Sequence, residues 1–160
     1  MTTFEEILSR DGRLVYRTKG KSMEPMLRQY RDLVIISPPS ARLKKYDVAL
    51  YKRESSYVLH RVIDVAADHY LIRGDNTYYL ENVPDSAVIG VLTGFQRKGK
   101  YYDTTDTAYM RYVRFWHTIY PLRLVIFHCR MIAVGIARKT GILRVIKKFL
   151  RHEKTEKRNP

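Results

Sequence analysis

One cysteine, Cys129, is all the chain has, which excludes an intrachain disulfide and gives no sign of an oxidising compartment. No Cys/His or His/Asp spacing reads as a zinc site, so no metal and no cofactor is expected. The first ten residues hold two glutamates and no apolar core, which argues against a secretory signal or N-terminal anchor. By default this predicts a chain that is cytoplasmic or peripheral at a membrane. The most apolar window, residues 119–136, is broken by Arg123, His128 and Arg130, and charges near a bilayer centre are costly. That argues against a conventional membrane span. There is no internal repeat and no low-complexity tract.

Acidic residues are scarce only in one region. Residues 1–104 hold 17 Lys+Arg against 13 Asp+Glu, whereas residues 105–160 hold 13 against 3. The net charge of +14 is therefore mostly a property of the tail. This break predicts a domain over 1–104 and a basic appendage over 105–160, within a length that suits one domain with a real core.

The domain reads as mainly β. Phe4-Glu5-Glu6-Ile7-Leu8 has helical spacing behind Thr3, an N-cap residue, and Asp11-Gly12 closes that helix. Short β-branched or apolar runs then follow at 14–18, 32–37, 47–51, 57–65, 70–73 and 88–95, the last with Gly90 as a candidate bulge. Many short strands with turn signals between them imply a barrel or sandwich. In the tail, apolar and aromatic residues from Thr107 to Tyr120 recur at helical spacing, and Pro121 begins a second segment that runs to Gly135. After Gly141 a basic amphipathic pattern appears.

Three polar clusters stand out against this background. In Gly20-Lys21-Ser22-Met23-Glu24-Pro25 a glycine frees the backbone before a serine and a proline stiffens it after, which presents one hydroxyl on a fixed loop. A serine hydroxyl needs a base to take its proton, and His60 titrates close enough to neutrality to be one. Asp75, on the turn Gly74-Asp75-Asn76, is the acid expected to orient His60, as in a Ser-His-Asp relay. Singly, each has a plain structural use: serine after glycine forms turns, a histidine in a strand packs, and Asp75-Asn76 is an ordinary turn. His69, His117, His128 and His152 are given no role. The serine box is not the G-x-S-x-G elbow, because Glu24 takes the place of the second glycine.

Taken jointly, the clusters resemble the signal peptidase I and LexA-like serine peptidase superfamily. Gly20, Ser22, Met23 and Pro25 match its G-x-S-M-x-P nucleophile box. Tyr46-Asp47-Val48-Ala49-Leu50-Tyr51 is similar to its G-D-hydrophobic strand, with tyrosine at the usual glycine. His60-Arg61-Val62-Ile63 matches the box that carries the general base, with histidine as in the endoplasmic-reticulum and archaeal type, and Gly74-Asp75-Asn76 matches the G-D-N box. The resemblance covers about residues 14–97. It implies a β-rich catalytic domain and cleavage of a peptide or precursor protein bound in extended form. Ser22 would attack, His60 act as base and Asp75 orient it, with Glu81 as the match to a second acid and Arg61 and Asn76 as supporting structure. The backbone N–H of Ser22 would stabilise the oxyanion, and Gly20 has no hydroxyl to add.

Two features depart from relatives of that kind. Signal peptidases carry anchors, and LexA-like proteins carry a DNA-binding domain for which the 21 residues before Ser22 are too few. Three readings therefore stay open for the tail: a membrane-surface element drawn to anionic lipid, a stripe packed on the β core, or a docking element. Nucleic acid is not an expected partner, since no recognised module accompanies the basic charge. A non-catalytic member of the fold that binds peptides or a membrane is the alternative to an enzyme.

Overall fold

A computed structural model of the chain describes residues 2–139. It begins with helix α1, Phe4–Asp11, where Thr3 and Glu6 form a reciprocal capping box and Gly12 ends the helix at φ 65°. Eight strands follow: β1 Leu14–Arg17, β2 Leu33–Ser37, β3 Val48–Arg53, β4 Ser56–Val65, β5 His69–Arg73, β6 Glu81–Pro84, β7 Val88–Arg97 and β8 Lys100–Asp103. They form one antiparallel sheet in the order β1-β2-β7-β3-β4-β5-β6, with β8 also paired to β7. The mainly β expectation therefore holds, and each predicted strand falls on an observed one. Two strands, β6 and β8, carry too few β-branched residues to signal themselves in sequence.

Gly90 sits where the β3–β7 register skips a residue, Leu50 facing Gly90 and Tyr51 facing Val88. A side chain there would come within 2.4 Å of Ile36, so the bulge is held by close packing as well as by register. The two faces of the sheet bury different clusters. One contains Met23, Met26, Leu27, Val48, Leu50, Leu59, Phe95 and Tyr109, and the other Ala49, Tyr51, Val62, Tyr70 and Ile72.

Two helices complete the described chain, α2 Thr107–Thr118 and α3 Tyr120–Lys139, breaking close to Pro121 as expected. The chain divides into two compact units after Arg114, not after residue 104. The reason is that Tyr109 and Val113 of α2 are buried in the core of the β domain, although α2 belongs by composition to the tail. In the second unit, Tyr120–Ala137 is long and apolar enough to cross a membrane, with mean hydropathy 1.4 and none of its window buried. The basic amphipathic segment expected after Gly141 lies outside the described residues.

Candidate active site

The serine loop is anchored by its own apolar residues. Met23, Met26 and Leu27 are buried, which leaves Ser22 half-buried at the rim. Gly20 takes φ 87°, the left-handed region that suits glycine. The Glu24–Pro25 peptide bond is cis. Behind the loop, the buried Asp32 carboxylate accepts the Arg28 backbone N–H at 2.8 Å and both Nε and Nη2 of Arg31 at 2.6 and 2.8 Å. The C-terminal side of the loop is thus tied down.

Strand β4 delivers the next groups. Successive side chains in a strand point to opposite faces, so His60 and Arg61 part company at once. His60 is 3 % exposed, and its Nδ1 lies 3.1 Å from Glu81 Oε1 and 3.3 Å from Tyr51 Oη. The Tyr51 hydroxyl donates to Glu81 Oε2 at 3.0 Å, and Arg53 Nη1 donates to the same oxygen at 2.9 Å. An ionised carboxylate only accepts, so we assign the Nδ1 proton to the Glu81 side, which leaves a lone pair on Nε2. Burial pushes His60 below the ordinary imidazole value, and Glu81 opposes that shift. The ring is therefore neutral at pH 7 and free to accept a proton.

Gly74 locates where Nε2 points. A Cβ at this position would stand 3.0 Å from His60 Nε2, 3.0 Å from Ser22 Cβ and 2.7 Å from the Ser22 carbonyl oxygen. Ser22 and His60 therefore converge on one small space that only glycine leaves open. The following residues secure this meeting. Asn76 donates its backbone N–H to the Ser22 carbonyl at 2.7 Å and its Nδ2 to the Lys21 carbonyl at 3.2 Å. Asn76 thus ties the G-D-N turn to the serine loop.

Asp75 takes a different part from the one expected. Its two oxygens accept Arg61 Nε and Nη2, each at 2.8 Å, in a fully buried bidentate pair. Arg61 also donates Nη1 to the Tyr46 carbonyl at 2.9 Å and to the Tyr109 hydroxyl at 3.0 Å. Burial alone would lower the Arg61 pKa, but Asp75 outweighs it and holds the guanidinium charged. The acid that meets His60 Nδ1 is Glu81, expected only as a second acid.

Register explains the exchange. Arg61 faces Arg73 across β4 and β5, and Asp75 lies two residues past Arg73, in the alternation that follows the Arg61 face. On the other face, Val62 pairs with Ile72 and Ile72 with Glu81, and Val62 is two residues from His60. Pleat parity thus sorts each acid to its own base. Tyr51 and Arg53, which steady Glu81, were missed by sequence reasoning. The tight β3–β4 hairpin carries the missing signal, because with Ala49 opposite His60 it sets Tyr51 and Arg53 on the His60 side.

Tyr46 stands where the resembled family has glycine, and it adopts φ 80°. A non-glycine residue there carries backbone strain of about 1–2 kcal/mol. The same backbone donates to the Val62 carbonyl at 2.8 Å and accepts from Arg61, which holds the conformation.

Beside Ser22 runs a cleft of about 460 Å³. One wall is residues 16–20 with Ser22, and the other is Arg53 and the start of β4, residues 56–59. β1 is an edge strand, and β5 joins β4 only from Arg61 onward. Both walls therefore present strand edges with no paired strand among the described residues. No protein-family model matches the chain, and no curated protein matches it.

Proposed function

We propose that the protein is a serine peptidase of the signal-peptidase-like type, with Ser22 as nucleophile, His60 as general base and Glu81 as the acid that orients His60. The observation that carries this reading is the convergence of Ser22 and His60 Nε2 on Gly74 while Nδ1 is held by Glu81. Ser22 Oγ attacks the scissile carbonyl carbon as its proton passes to His60 Nε2. Collapse of the tetrahedral intermediate breaks the C–N bond, and His60 returns the proton to the leaving amine. Water then hydrolyses the Ser22 ester with His60 again as base.

The Ser22 backbone N–H is the donor we assign to the oxyanion, without a hydroxyl from Gly20. Losing one such donor slows related chemistry by about 100- to 1,000-fold, so a modest turnover is expected. The two free strand edges along the cleft favour a peptide bound in extended form, as an added strand. The test is labelling of purified protein by a serine-reactive acylating probe, located by mass spectrometry. Modification of Ser22 that is lost in Ser22→Ala and His60→Ala is expected. No modification of folded wild type would leave the non-catalytic binding reading in its stead.

We further propose that α3 holds the enzyme at a membrane. Leu122, Val125, Ile126, Met131, Ile132 and Ile136 are all exposed. Its 18-residue apolar window carries Arg123 and Arg130, so it suits the headgroup boundary better than a span of the hydrocarbon core. Arg123 stacks on the Trp116 ring at 3.7 Å, a pairing suited to the headgroup boundary. The basic excess of residues 105–160 adds attraction to anionic lipid. Flotation with anionic liposomes should be lost in the Ile126→Asp/Ile132→Asp variant; undiminished flotation would remove this part of the reading.

A further inference from the structure

The cleft beside Ser22 has a built chemical character of its own. Phe4 of α1 stacks on Tyr57 with ring centroids 4.4 Å apart and 20° between planes, and it meets Tyr16 at 5.1 Å in a tilted arrangement. Tyr16 belongs to one wall and Tyr57 to the other, so the three rings bridge the cleft. Glu5 accepts a hydrogen bond from the Tyr57 hydroxyl and pairs with Lys52 at 3.4 Å, which fixes the Tyr57 ring and occupies the nearest acid. Met23, Leu27, Val58 and Leu59 extend this apolar surface.

The charged residues that line the cleft are all basic: Arg17, Lys19 and Arg53. Arg53 is engaged by Glu81, but Arg17 and Lys19 are exposed and form no ion pair among the described residues. The β domain as a whole is close to charge balance, so this one-signed lining is local. Thr18, in the same wall, has a buried hydroxyl with no hydrogen-bond partner among the described residues.

We propose that the cleft selects extended peptides that carry a large apolar or aromatic side chain together with carboxylates close to it in sequence. The apolar side chain docks against Phe4, Tyr16 and Tyr57, and the carboxylates meet Arg17 and Lys19. In an extended peptide alternate side chains face opposite ways, so one residue enters the aromatic end while its neighbours reach the basic rim. This rests on the cleft being the peptide site of the proposed peptidase.

The test uses full-length Ser22→Ala protein, which binds without turnover, and two fluorescein-labelled peptides with a central Phe, one flanked by Glu and the other by Lys. The Glu peptide should bind about tenfold more tightly at low salt, with a gap that narrows as salt rises. The exposed pair Arg17→Glu/Lys19→Glu should cancel or invert this preference, and Phe4→Leu should weaken binding of both peptides. Equal binding of the two peptides overturns the proposal. So does a preference unchanged by the Arg17→Glu/Lys19→Glu variant, which would assign it to the basic tail. Labelling of wild-type Ser22 is read separately: with labelling but no peptide preference, the selectivity falls and the peptidase stands, and with preference but no labelling the reverse holds.

Discussion

His60 and Arg61 are neighbours on one strand and each meets a carboxylate, yet the two pairs are suited to opposite tasks. Arg61 and Asp75 are both fully buried and bound in two parallel hydrogen bonds, with the Tyr46 carbonyl and the Tyr109 hydroxyl filling further donors. His60 and Glu81 share one contact at 3.1 Å, Glu81 is 15 % exposed, and the imidazole keeps a nitrogen free on the Ser22 side. The first pair holds its charges permanently and joins β4, the G-D-N turn and α2. The second leaves a proton to be moved. Adjacent positions in a strand thus carry a fully buried ion pair on one face and, on the other, the pair we propose for the chemistry.

If this division is right, the two acids should fail differently. Asp75→Asn leaves a buried guanidinium without its counter-charge and should cost about 3–5 kcal/mol of stability, read by denaturant unfolding. Glu81→Gln is expected to change the unfolding midpoint little, because Glu81 keeps 15 % of its side chain exposed, Arg53 reaches solvent, and the isosteric amide oxygen still accepts from Tyr51 or Arg53.

Gly74→Ala attacks the meeting point itself. The added methyl would lie 2.7 Å from the Ser22 carbonyl, so the loop must move, and a displacement of about 1 Å can slow acylation about 100-fold. Thermal unfolding should report a folded protein. Acylation at the wild-type rate would mean that Ser22 and His60 do not need this proximity.

A smaller effect separates the pairs by pH. Because burial lowers the His60 pKa, the acylation rate should hold on the alkaline side of about pH 6.5 and fall only below that ordinary value. The stability gained by keeping this ring neutral is full above the unfolded pKa and is lost as pH falls through the folded one. Glu81→Gln removes the charge that opposes the shift and should move the fall to still lower pH. Tyr109→Phe, which touches only the Arg61 pair, should leave the profile in place.

Much of this was legible in the residues. Alternation and turn chemistry located α1 and six of the strands, and Thr3, Gly12 and Gly90 play the parts their types suggest. The boxes that contain Ser22, His60 and Gly74 could also be picked out, since each is attached to a recognisable strand or loop, but their meeting in space could not. The pairing of acids was not. Asp75 sits in a conspicuous turn, whereas Glu81 opens a short polar strand, and only the register across β4, β5 and β6 decides which face each one joins. The aromatic bridge was hidden for a similar reason, because Phe4 and Tyr57 are 53 positions apart in the chain and meet only when α1 packs beside the cleft. The tail boundary shifted because Tyr109 and Val113 obey the core of the β domain and not the composition of their neighbours.

The most direct measurement compares the second-order rate of Ser22 acylation in wild type, Glu81→Gln and Asp75→Asn, each corrected for its folded fraction at neutral pH. The account predicts a loss of about 100-fold or more in Glu81→Gln, as expected when a base loses its orienting acid, and a rate near wild type for folded Asp75→Asn. A full rate in Glu81→Gln with a collapsed rate in folded Asp75→Asn would contradict it and return the orienting role to Asp75.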